Sequence, residues 1–202
     1  AVDAPPSGVM AREAAFTPHR PSRAIENICR PARDLLPQQS YRYLMATRPG
    51  FATMISSRGC PFRCSFCDKS VSGSRWRARD PADVVSEMTE LVEAGIGFIN
   101  FYDDNFTLKR DRVEAICHAI LEAGLDVHWK CEGRVDGVDA ALLKLMHRAG
   151  CRVIAYGVES GNRETLALLR KDVEVEQVVQ AFSATREAKL RSLAYLILGA
   201  PG

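Results

Sequence analysis

Glu93-Ala94-Gly95, Glu122-Ala123-Gly124 and Arg148-Ala149-Gly150 are nearly one tripeptide, recurring at intervals of roughly thirty residues. Each closes an amphipathic stripe, and each Gly stands where a helix C-terminus wants a residue in the left-handed region. The stripes are Val84, Val85, Met88, Leu91 and Val92; then Val113, Ile116, Cys117, Ile120 and Leu121; then Leu142, Leu143 and Met146. After each Gly comes a short apolar run: Gly97 to Tyr102, Val127 to Cys131 and Arg152 to Val158. Helix, Ala-Gly, strand, repeated, implies βαβ units and a parallel sheet. Outward from this core, Asp80, Pro81 and Asp83 supply an N-cap, a first-turn proline and first-turn acids. Ala52 to Ser57 reads as an earlier strand, Asn162 to Arg170 and Glu174 to Lys189 as a fourth helical connection, and Ser192 to Leu198 as a fifth strand. Five parallel strands with helices between them suit either a curved barrel-like sheet or an open doubly wound one, and periodicity alone does not separate the two.

The first strand runs into Gly59 to Asp68, GCPFRCSFCD, in which Cys60, Cys64 and Cys67 stand at CxxxCxxC spacing. Thiolates this close can converge on one soft metal centre, iron–sulfur or zinc. The loop supplies three ligands, whereas a structural zinc or an electron-transfer cluster is closed by four. A fourth from Cys29, Cys117, Cys131 or Cys151 is the alternative; Cys117, Cys131 and Cys151 lie in apolar surroundings and read as buried small hydrophobes. A three-thiolate cluster would leave one iron open to a small molecule.

The 202 residues, 47% of them apolar, suffice for one well-filled core. A net charge of +2 with interleaved acids and bases gives no support to a nucleic-acid partner. Seven unevenly spaced cysteines argue against a disulfide framework and for a reducing, cytoplasmic location. No apolar run approaches the ~18 residues of a membrane span. Seven of the ten prolines fall within residues 1–50, which read as a Pro-rich linker or arm before a domain of residues 51–202. Within the arm, Ala32 to Leu36 and Tyr41 to Met45 are the apolar anchors expected on that domain. The run Arg75, Trp76, Arg77, Arg79 reads as a solvated loop with one anchoring aromatic. The chain begins without Met and stops just after an apolar run, so a longer protein is expected.

In parallel β/α arrays ligands bind at the C-terminal strand ends. Those ends carry the cysteines, then Asp103, Asp104 and Asn105, then Glu132 and Arg134, then Glu159 and Ser160, then Gly199 to Gly202. Such a rim suits a zwitterionic, ribose-bearing ligand, although Arg134 can equally pair with Asp136. With CxxxCxxC after the first strand and the aromatic Phe66 before the third Cys, residues 51–202 resemble the radical S-adenosylmethionine (SAM) superfamily. The resemblance implies an α/β fold, a partial (β/α)6-type TIM-like barrel truncated after about five parallel strands, with a Pro-rich N-terminal extension. It implies that Cys60, Cys64 and Cys67 hold a 4Fe-4S cluster whose fourth iron chelates SAM. Reductive cleavage then yields a 5′-deoxyadenosyl radical that abstracts hydrogen from a small-molecule substrate, with an electron donor such as flavodoxin or ferredoxin. Asp103 or Asp104, followed by Asn105, takes the place of the motif that receives the methionyl ammonium. Glu159 takes that of the polar residue near ribose or methionine, Gly199 lies in the segment against adenine, and Phe66 shapes the loop beside the ligand.

Ala32 to Tyr43, Phe101 to Thr107 and Trp129 to Asp136 also resemble the subgroup that carries a cobalamin-binding domain before the radical domain, a domain this chain does not contain. Its members methylate, cyclise or rearrange unactivated carbon. An iron–sulfur electron-transfer or sensing module, and a methylthiotransferase-like enzyme acting on RNA or protein, are the competing readings.

Overall fold

The computed structural model describes residue 25, residues 29–37 and residues 40–200. Pro5, Pro6, Pro18 and Pro21 of the arm, and Pro201 and Gly202 after the last strand, lie outside the described residues. In chain order the elements are β1 (Phe51–Met54), β2 (Ser57–Arg58), β3 (Arg77–Ala78), α1 (Pro81–Glu93), β4 (Phe98–Phe101), α2 (Arg110–Glu122) and β5 (His128–Gly133). They continue with α3 (Ala140–Arg148), β6 (Cys151–Glu159), α4 (Arg163–Leu168), α5 (Val175–Glu187) and β7 (Arg191–Leu196).

The main sheet is parallel with strand order β1-β4-β5-β6-β7, each strand beside its neighbour in sequence. A doubly wound sheet reverses its order at a switch point. This one never reverses, and its helices pack in succession, α1 on α2, α2 on α3 and α3 on α5. The sheet is therefore wound one way, as in part of a (β/α) barrel. Ile99 and Phe101 of β4, and Trp129 and Cys131 of β5, face the helices within one apolar core. Successive strand residues point to opposite faces, so Asn100, Lys130 and Glu132 face the barrel interior.

The helix boundaries follow local chemistry. Asp80 Oδ1 accepts from the Ala82 N–H at 2.8 Å and Pro81 opens α1. Gly95, Gly124 and Gly150 stop α1, α2 and α3 at φ of 85°, 61° and 96°. The first strand is shorter than the apolar run suggests: the chain leaves the sheet after Met54, and Ser57–Arg58 pairs antiparallel with Arg77–Ala78. Around that turn-out, Ser56 and Ser57 donate to Asp103 instead of extending the ladder.

Two expectations are corrected. Leu35, Leu36, Tyr41 and Leu44 of the arm are exposed, and the arm is tied down by arginines and one ring. Arg30 pairs with Asp83 and Glu90, Arg33 with Glu87, and Tyr43 stacks on Phe51 at 4.9 Å. The reason is the partner surface: α1 presents the carboxylates Asp83, Glu87 and Glu90 where those arginines arrive. Likewise Arg77 sits in β3, and Arg79 is no solvated loop residue; its side chain pairs with Asp83 at 2.8 Å and Glu87 at 2.5 Å. Among the described residues no helix is long and apolar enough to cross a membrane.

Candidate functional site

A cavity of about 180 Å³ opens at the C-terminal ends of the parallel strands. Cys60, Cys64, Cys67 and Phe66 from the cysteine loop line it, with Asp104 and Asn105 after β4, Glu132 and Arg134 at the end of β5, and Glu159 at the end of β6. Residues 100 positions apart in sequence share this wall because parallel winding delivers every strand to the same rim.

The loop is held from three sides. Gly59 has φ of 86°, and a Cβ there would come within 2.2 Å of the Arg75 carbonyl oxygen, so only glycine lets the two ends of the loop cross. Its N–H donates to Asp104 Oδ2 at 2.6 Å. Farther along, the Ser65 N–H donates to the Leu169 carbonyl at 2.9 Å. The Arg134 guanidinium lies 3.7 Å over the Phe62 ring and reaches Cys64 Sγ at 3.9 Å. All three thiols are free. They face one cavity, although among the described residues no trio of His, Cys, Asp or Glu meets at metal-ligand spacing. Three soft donors on one loop, with an arginine cation beside one sulfur, suit an iron–sulfur guest.

The two adjacent acids part company. Asp103 is 2% exposed and faces away from the cavity, where Ser56 N–H, Ser56 Oγ and Ser57 Oγ donate to it at 2.6, 2.6 and 2.5 Å. Burial pushes its carboxyl up against these donors. Asp103 therefore staples the end of β1 to the end of β4, and Asp104 is the acid that faces the cavity.

Arg134 forks onto Asp136 through Nε and Nη2, both at 2.9 Å, and Nη2 also donates to the Lys171 carbonyl. Of its two readings, the ion pair with Asp136 is the one formed. Glu159, at φ of 67°, pairs with Lys171 at 2.8 Å, both side chains buried. The room left by Gly157 is filled by that pair, since a Cβ there would meet Glu159 Oε1 at 2.4 Å and Lys171 Nζ at 2.7 Å. A carboxylate in so enclosed a place needs its counter-ion, and Lys171 supplies it. Gly199 does not line the cavity: β7 ends at Leu196 and the chain runs on into solvent, with Leu198 exposed.

Sequence reasoning missed Lys171, Phe62 and Tyr195, all of which line the cavity. Lys171 carries no local signal, because it arrives from beyond α4 with the left-handed residues Arg170 and Asp172 on either side. Tyr195 was legible only by counting alternation along β7. Beneath the cavity, Lys130 donates to Glu132 Oε1 at 3.0 Å and Tyr195 to the same oxygen at 3.0 Å. Burial alone would lower the Lys130 ammonium, but the hydrogen bond and charge of Glu132 hold it above its ordinary value.

A sequence profile described as the Radical SAM superfamily matches residues 54–202. An uncharacterized methyltransferase of Pyrococcus horikoshii is 34% identical over 179 residues, covering 88% of this chain and 38% of the relative. The anaerobic magnesium-protoporphyrin IX monomethyl ester cyclase of Cereibacter sphaeroides is 35% identical over 148 residues, 71% of this chain and 24% of the cyclase. In fold, the chain is similar to a radical S-adenosylmethionine methyltransferase of Kitasatospora setae solved with cobalamin and a [4Fe-4S] cluster, with TM-score 0.70 and 21% identity over 84% of this chain and 37% of that one. The chain thus spans well under half the length of each. With its cysteine loop, its one-way parallel sheet and the profile all in agreement, this chain belongs to the radical SAM superfamily.

Proposed function

We propose that this chain is the core of a radical SAM enzyme, in which Cys60, Cys64 and Cys67 hold a 4Fe-4S cluster and SAM occupies the adjoining cavity. The observation that carries the reading is the meeting of those three free thiols with Asp104, Asn105 and Glu159 on a single cavity wall. When bound, the cluster would supply the electron for reductive cleavage of SAM, the chemistry that opens hydrogen abstraction from an organic substrate. The residues of the chain bind and orient. Asp104 offers an acceptor to an ammonium beside the cysteine loop. The Glu159–Lys171 pair presents a fixed dipole to the same cavity, and Phe66 gives the flat face against which a ring can lie. Arg134 keeps positive charge next to the Cys64 sulfur, at 3.9 Å.

Cobalamin, bound by a domain outside this chain, fits the likeness to methyltransferase and cyclase relatives, and the outcome on substrate is then methylation or cyclisation. Residues 1–50 serve as the linker from that domain, residues 51–202 as the radical core, and a protein such as flavodoxin or ferredoxin as electron donor in the cytoplasm. Anaerobic reconstitution of the full-length protein with iron and sulfide, followed by dithionite and SAM, tests the reading. The expected products are 5′-deoxyadenosine and methionine, lost in Cys60→Ala, Cys64→Ala and Cys67→Ala. A cluster that forms without yielding either product would sink it.

A further inference from the structure

The interior face of the barrel below the cavity holds a layer that the fold does not need. A barrel built only for stability fills its interior with bulky branched side chains. Here the inward positions are Asn100 of β4, Lys130 and Glu132 of β5 and Tyr195 of β7, while the small Ala155 of β6 leaves depth in the cavity. Asn100 is 0% and Lys130 1% exposed. The Lys130 ammonium donates to Asn100 Oδ1 at 3.3 Å and to Glu132 Oε1 at 3.0 Å. A lysine can only donate, so the amide oxygen of Asn100 must be the atom facing it. The amide NH2 is thereby turned away, and Asn100 Nδ2 is buried without a hydrogen-bond partner. An orphaned buried donor is destabilising, and a buried ion pair adds little to stability by itself. On the other side, Tyr195 and Lys130 both donate to Oε1 of Glu132, leaving Oε2 as the acceptor for a guest.

The two charges of this layer, Lys130 and Glu132, cancel each other. A third charge brought beside them would be desolvated with nothing to balance it. A neutral group with an N–H or O–H would instead satisfy Glu132 Oε2 without adding charge, while Asn100 and Lys130, which do not line the cavity, hold Glu132 from below. We propose that Glu132, held in place by Tyr195 and by the buried Lys130 and Asn100, forms with Tyr195 a recognition site for a neutral hydrogen-bonding group of the organic substrate, of the carboxamide type. This rests on reading the cavity above as the SAM and substrate site.

The test uses three isosteric probes, benzamide, benzoate and benzylammonium, titrated by ligand-observed NMR into the full-length reconstituted protein, with SAM binding measured on the same samples. Benzamide should bind about tenfold or more tightly than either charged probe. That preference should vanish in the Lys130→Met/Glu132→Leu double variant. Tyr195→Phe, which keeps the ion pair, should weaken benzamide several-fold with unchanged melting temperature, and it carries the test if the double variant does not fold. Benzoate or benzylammonium binding as well as benzamide, no binding of any probe, or benzamide binding indifferent to these substitutions overturns the proposal. Loss of SAM binding in the wild type would instead strike the proposed function, since the probes are read separately.

Discussion

Asp103 and Asp104 are indistinguishable in the sequence and opposite in the structure, and their substitutions should separate cleanly. Asp103→Ala strips the acceptor from one buried N–H and two buried hydroxyls. It should cost roughly 3 kcal/mol, read as a fall in melting temperature of about 6–12 °C. Asp104→Ala removes one bond to the Gly59 N–H at an exposed position. Its melting temperature should stay within about 4 °C of wild type, while alkylation of Cys60 by iodoacetamide becomes faster because the loop has lost its tether. His128 offers a pH handle. Burial, then the nearby Arg152 and Arg48, lower its pKa from 6.5 to about 4. The unfolded chain therefore binds the extra proton first, and stability present above about pH 6.5 is lost as pH falls toward about 4. In His128→Gln the melting temperature should vary less across that window; an unchanged slope would show that His128 does not set it.

At the scale of elements, the Ala-Gly helix ends were fully legible, because each is a local event: a stripe runs out and the chain needs a left-handed residue. Their neighbours in space were not. A Cβ on Gly124 or Gly95 would meet nothing within 4 Å, whereas one on Gly150 would come within 2.1 Å of the Val127 carbonyl oxygen. Gly124→Ala should thus cost only the left-handed penalty, about 1–2 kcal/mol. Gly150→Ala, which adds a clash with backbone, should cost well above that in urea unfolding; equal midpoints for the two variants would refute the distinction. The strand ends tell the same story. Alternation and the cysteine spacing pointed to the rim, but that Glu159 would spend its carboxylate on Lys171 depends on a lysine delivered from another connection.

For the whole molecule, the arm and the barrel meet through a buried carboxylate. Glu87 is 2% exposed at its side chain and lies between Arg33 of the arm, at 2.5 Å, and Arg79, also at 2.5 Å. Removing one member of a buried charge network strands the others, at roughly 3–5 kcal/mol. Glu87→Ala should lower the melting temperature by about 6 °C or more and open residues 29–37 to limited trypsin digestion; unchanged cleavage there would mean that the arm is held otherwise. No periodicity marks Glu87 for this task, since on the helix it reads as an ordinary polar position. What the sequence determined by itself was whatever is written in local order: helix stops, strand runs, and three thiols on one loop, all set by bonding within a few residues. Only the tertiary structure decided which way the sheet winds, which of two acids faces the cavity, and that Asn100, Lys130, Glu132 and Tyr195 share one interior layer. Those are set by which side chains from distant strands come within a few ångströms, where desolvation and hydrogen-bond satisfaction, rather than propensity, choose the partners.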